Sequence, residues 1–150
     1  MAINKQPVFT TAPVLVTTIY TPEVVDLTYD PSSYLTGTSR IFTSTDTNGT
    51  LIERITVSCT GDPINEPTVA AKLVYLYLYD TGNSLWSLYK TATMPSTTVT
   101  DTTPNPEVEW VFTGGLLLPD SVEVYIGTSI VSSQADAFSV TLEGSTYTAI

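Results

Sequence analysis

A chain of 150 residues with a formal charge of −10 and no histidine amounts to one domain, long enough to bury roughly two-thirds of its unfolded surface without a disulfide or a structural metal. Its cations, Lys5, Arg40, Arg54, Lys72 and Lys90, are too few and too scattered to neutralise a row of phosphates, which excludes nucleic acid and an anionic membrane as direct partners. Without imidazole there is no ordinary base for a serine or cysteine nucleophile and no neutral nitrogen ligand for a transition metal, so carboxylates are the remaining reactive groups and no cofactor is expected.

The opening "MAINKQPVFTTAPVLVTTIY" carries one lysine, and its two prolines break the apolar run, unlike a secretory signal. Nothing downstream reaches the length of a membrane span, so a soluble protein made in a cytoplasm is expected. Residues 1–22 read as an extended arm: Pro7, Pro13 and Pro22 favour extended backbone, while Val8, Phe9, Val14, Leu15, Val16 and Ile19 avoid water. Such an arm is held across its own domain or on a neighbouring chain, with Val8, Phe9, Val14, Leu15 and Ile19 as its candidate contacts. Burial of these side chains nearly cancels the entropy of ordering them, so a partner that adds backbone hydrogen bonds to the arm is expected.

Residues 23–150 read as a single all-β domain, an antiparallel two-sheet sandwich. Threonine, valine, isoleucine and tyrosine dominate, and no window has a helical apolar period. Alternating segments bounded by turn residues predict strands at 14–20, 24–29, 39–44, 51–60, 70–79, 85–91, 97–100, 108–112, 121–128 and 137–142. Asn48-Gly49 in "TDTNGT" and "DTGN" at 80–83 predict two hairpin turns. The proline-bearing "GDPINEP" (61–67) and "TDTTPNPE" (100–107) predict surface loops. Cys59, the sole cysteine, shares a side of "LIERITVSCT" with Leu51, Ile55 and Val57 and reads as a buried, inert thiol.

Half-buried strands are expected where one face alternates: Val108, Trp110 and Phe112; Val122, Val124 and Ile126; Phe138, Val140 and Leu142. The stretch "KLVYLYLYDTGNSLWSLYK" (72–90) differs, because it is apolar on both faces. Val74, Leu76 and Leu78 point one way, and Leu73, Tyr75, Tyr77 and Tyr79 the other. Burial of Tyr75, Tyr77 and Tyr79 against another subunit or between sheets is the expected reading; a sugar-stacking platform that also uses Trp86 and Trp110 is its alternative. Glu107 and Glu109 stand on one strand face about 6.5–7 Å apart, the spacing of an inverting glycosidase pair, but nothing in the sequence supports them, and a solvated face is expected. "DTNG" at 46–49 lacks the further ligands of a calcium loop and reads as a turn. No catalytic, cofactor or metal site is expected.

The run from "GTLIERITVSCTG" through "KLVYLYLYDTGNSLWSLYK" to "GLLLPDSVEVYIGTS" resembles a group of small tailed-phage structural proteins. In that group a strand of "RIERI" type leads to "RLFLYDG", an aromatic-bearing strand, a "P.T" segment and an "LP.G..L..." hairpin. The corresponding pieces here are 51–57, 73–80, 85–89, 94–99 and 118–126, and the opening "AINKQPVFT" is similar as well. The resemblance implies a jelly-roll-like virion component in multiple copies, located at the head exterior or on a head-associated appendage. Its implied partners are the major capsid protein or other virion proteins and further copies of itself, with a trimer preferred. A portal, tail or fibre protein that binds a glycan or receptor is the alternative.

Overall fold

The computed structural model describes residues 9–20, 37–60, 68–129 and 137–149, except for the side chains at 9–12, 18–20, 60, 137 and 147–149. Among the described residues there is no helix, and ten strands run β1 (Phe9–Tyr20), β2 (Ser39–Thr43), β3 (Thr50–Thr60), β4 (Thr68–Val69), β5 (Lys72–Asp80), β6 (Leu85–Met94), β7 (Thr97–Thr98), β8 (Glu107–Leu118), β9 (Val122–Thr128) and β10 (Ala137–Ala149). The expected strand at 24–29 and the loop at 61–67 lie outside the described residues. One four-stranded sheet has the order β1-β10-β3-β8 and the other β2-β9-β5-β6, with a small β4-β7 pair. Every pairing is antiparallel. Leaving aside β4 and β7, the chain changes sheet at every connection but one, the β5–β6 hairpin. That alternation is the jelly-roll-like arrangement of two Greek keys.

The sheets pack face to face over a common core. Ile52, Ile55, Val57, Cys59, Trp110, Phe138, Val140 and Leu142 come from the first sheet, and Ile41, Val74, Leu76, Met94, Val124 and Ile126 from the second. Cys59 is fully buried, as its apolar strand predicts. Of the segment read as an arm, residues 9–20 form an edge strand of its own domain, since every residue from Phe9 to Tyr20 pairs with one of Ala149 to Phe138. Pro13 is tolerated there because an edge strand has an outward side with no ladder to complete.

Three local results depart from the sequence reading. Asn48-Gly49 does form a turn, with Gly49 at φ 85°, its N–H donating to the Asp46 carbonyl and the Asn48 N–H to Asp46 Oδ1, both at 2.9 Å. It is not a hairpin, because β2 pairs with β9 while β3 pairs with β10 and β8. Turn chemistry reverses the chain, but the choice of neighbour belongs to the two inner faces, and here the reversal carries the chain from one sheet to the other. The Pro119–Ser121 turn does the same between β8 and β9, where the family pattern implied a hairpin. Third, Leu51 is not on the Cys59 side. A bulge at Glu53, opposite the Glu143/Gly144 step of β10, shifts the pleat by one residue. Ile52 joins Ile55, Val57 and Cys59 in the core, and Leu51 turns outward.

The other expected turn, at 80–83, is a true hairpin between β5 and β6. The Asp80 carboxylate accepts from the Asn83 side-chain amide at 2.6 Å and from the Gly82 and Asn83 backbone N–H groups at 2.9 and 3.3 Å. The Asn83 amide, with these backbone donors, holds the Asp80 carboxyl below the usual carboxylate range. The 100–107 loop is largely exposed; Thr100 and Thr103 bond each other, and the Pro106 carbonyl accepts the Cys59 N–H at 3.0 Å.

Candidate functional site

The outer face of the second sheet gathers the tyrosines. β5 supplies Tyr75, Tyr77 and Tyr79, β6 supplies Trp86, and β9 supplies Tyr125, which pairs directly with Tyr77. Strand alternation puts all five on the side away from Val74, Leu76, Val124 and Ile126. Trp86 is the hub: it stacks on Tyr79 at 4.5 Å between centroids and meets Tyr125 at 4.6 Å and Tyr77 at 6.5 Å in edge geometry. Such pairs contribute beyond the area they remove from water.

Burial within the single chain answers the question raised by the two-faced hairpin. Tyr75, Tyr77, Trp86 and Tyr125 are between 2% and 6% exposed, and Tyr79 is half-buried against them. This face needs no second copy and no shell to leave water, and it offers no flat aromatic platform to a sugar. Beneath Tyr125 lies a polar group that the sequence reading missed. Glu123, 8% exposed, accepts the Tyr125 hydroxyl at 2.7 Å on one carboxylate oxygen and an Arg40 guanidinium N–H at 2.9 Å on the other. Its only signal in the sequence was a single carboxylate inside the apolar strand "VEVYIG". Tyr77 Oη is buried without a hydrogen-bond partner. Burial, with Tyr75 as a smaller cause, pushes that hydroxyl up to about 12.

The candidate arm contacts divide between the core and the surface. Val14 and Val16 are half-buried against the core, while Leu15 between them is 69% exposed. Val8 lies outside the described residues, as do the side chains of Phe9 and Ile19.

Glu107 and Glu109 are exposed on one face of β8, as alternation required. Glu109 faces Arg54 of β3, whose Nε is 3.8 Å from both Glu109 Oε2 and Glu143 Oε2 of β10, so one guanidinium stands between carboxylates of two neighbouring strands. At this level the first sheet dents. Between Ile52 and Arg54 the β8 register slips so that 112–115 loop outward, with Gly114 and Gly115 at φ near +80°. A side chain at Gly115 would overlap Leu51. The resulting cleft, about 410 Å³, is lined by Glu53, Arg54, Glu143, Val111 and Phe112. A second groove, about 350 Å³, opens between β6 and β8, lined mainly by Leu78, Leu85, Tyr89, Leu116, Leu117 and Pro119. Asp46 serves its turn, and among the described residues no cluster of three or more potential metal ligands occurs.

No protein-family model and no curated protein matches the sequence. Among solved structures, a chain of the cyanophage Pam1 capsid asymmetric unit aligns with 98% of this chain and 91% of its own length, at 12% identity and a TM-score of 0.41.

Proposed function

We propose that this chain is a non-enzymatic structural protein of a tailed-phage virion, present in many copies and attached to the outside of the head as a decoration or auxiliary capsid protein. The observation that carries the reading is the family resemblance read onto the fold. Its segments fall on β3, β5, β6, the β6–β7 connection and the β8–β9 passage, so they take in strands of both sheets. The charge of −10 suits a position on the outer shell better than one against packaged DNA. The partner in this reading is the major capsid protein.

Quantitative mass spectrometry of purified particles of the phage that encodes the chain tests the proposal. A copy number comparable to that of the major capsid protein is expected. Absence from particles contradicts a virion role, and a handful of copies per particle moves the protein to the portal or tail.

A further inference from the structure

The outer faces of the two sheets differ. That of the second sheet is closed by its own aromatic side chains, with Tyr75, Tyr77, Trp86 and Tyr125 all buried. That of the first sheet is open, and the pairing registers fix what it presents. Leu15 of β1 stands opposite Glu143 of β10, Glu143 opposite Arg54 of β3, and Arg54 opposite Val111 of β8, so the four side chains form one row across a single face. The row one pleat further on runs Thr17, Thr141, Thr56 and Glu109. Leu15 and Val111, at the two ends of the first row, are the most exposed large apolar side chains among the described residues, at 69% and 58%. Three strand spacings set them about 14 Å apart.

Charge on this sheet is one-sided. Its four strands hold four carboxylates, Glu53, Glu107, Glu109 and Glu143, and a single cation, Arg54. The guanidinium meets Glu109 and Glu143 only at 3.8 Å, too long for a hydrogen bond, and among the described residues Glu53 and Glu107 make no ion pair. The cleft of about 410 Å³ on this sheet combines the apolar Leu51, Val111 and Phe112 with the carboxylates of Glu53 and Glu143. That combination suits a lysine or arginine side chain, whose apolar stem ends in a cation.

We infer that the outer face of the first sheet is the surface by which this chain docks on a basic patch of another protein, with a lysine or arginine of that partner entering the cleft at Glu53 and Glu143. The inference rests on the virion reading above, in which the partner is the major capsid protein, and it names the face that makes the attachment. Charge selects the occupant. A second copy, itself at −10, would set carboxylates against carboxylates, and nucleic acid or an anionic lipid surface is repelled in the same way. A basic protein surface pairs with the carboxylates and offers Leu15 and Val111 the apolar contact they lack, at two points on either side of the Glu143–Arg54 pair.

Head shells of the encoding phage, assembled without this chain and titrated with the purified full chain, supply the test. Glu109→Lys is expected to weaken binding by at least about tenfold, whereas Asp120→Lys, the same change of net charge at an exposed position in the β8–β9 turn, leaves it unchanged. Circular dichroism checks that both variants fold; if Glu109→Lys does not, Glu107→Lys on the same face decides. Carbodiimide coupling of the bound chain, which joins carboxylates to amines in contact, is expected to link Glu53, Glu107, Glu109 or Glu143 to lysines of the major capsid protein. Equal losses for Glu109→Lys and Asp120→Lys, links confined to carboxylates outside the first sheet, or links from these four only to a second copy overturn the docking and leave the virion role standing. A wild-type chain that binds no shell also overturns the docking, and its copy number in virions, measured separately, decides whether the virion role falls with it.

Discussion

Glu123→Ala is the sharpest single test of how the outer face of the second sheet is held. The substitution takes away the acceptor of the 2.7 Å bond from Tyr125, a residue 2% exposed; a hydrogen bond to a charged group in such surroundings is worth about 1.5–3 kcal/mol. It also removes the 2.9 Å ion pair with Arg40, whose side chain is 54% exposed, so solvent screening reduces that part to about 0.5 kcal/mol. The expected loss is about 2–3 kcal/mol, read as a fall in Tm of about 4–12 °C for a domain of this size. Urea unfolding followed by tryptophan fluorescence is the assay, because Trp86 sits 4.6 Å from Tyr125. A double-mutant cycle with Tyr125→Phe isolates the bond and should return a coupling of about 1–2 kcal/mol. Additivity of the two substitutions within about 0.5 kcal/mol would refute the assignment of Glu123 as the anchor of this face.

The unpartnered Tyr77 hydroxyl predicts the opposite sign for Tyr77→Phe: neutral or stabilising by up to about 1 kcal/mol, since a buried polar group without a partner is lost, and a destabilisation beyond about 1 kcal/mol would mean that the hydroxyl is bonded after all. Because folding raises the Tyr77 pKa from 10.0 to about 12, its contribution is intact below pH 10 and disappears as pH rises from 10 toward 12. Phenolate absorbance should show a late titration that Tyr77→Phe abolishes. Asp80 has the reverse sign, its folded pKa lying below the ordinary value. Its contribution is present at neutral pH and vanishes as pH falls through the lowered pKa, and Asn83→Ala should move the Asp80 carboxyl back up in an NMR titration. Gly114→Ala and Gly115→Ala share a left-handed backbone cost of about 1–2 kcal/mol, but only Gly115 would set a methyl into Leu51; thermal unfolding should therefore rank Gly115→Ala clearly below Gly114→Ala, and equal Tm values would contradict the packing of the bulge.

Strands were legible because alternation and turn residues are local properties. The faces were legible only as far as the first bulge. Trp86 and Met94 are eight residues apart in β6 and by simple alternation share a face, yet Trp86 joins the tyrosines and Met94 the core. The extra residue at Tyr89, opposite the Leu76/Tyr77 step, turns the strand over. The bulge at Glu53 does the same in β3, exchanging Leu51 for Ile52. No residue type announces either one. "TGG" inside the 107–118 strand was the single readable bulge signal. The Asn48-Gly49 turn shows another limit, since it marks a reversal without saying which sheet the next strand joins. Arg54 acquires Glu109 and Glu143, and Glu123 acquires Arg40, from strands remote in sequence, so a single chain read in order has no means of pairing them.

A density map of the intact particle tests the central claim most directly. The account predicts two four-stranded sheets of this topology on the outer surface of the head shell, seated on the major capsid protein and repeated with the lattice. A shell without that density, or the same sandwich found only at the tail, would contradict it.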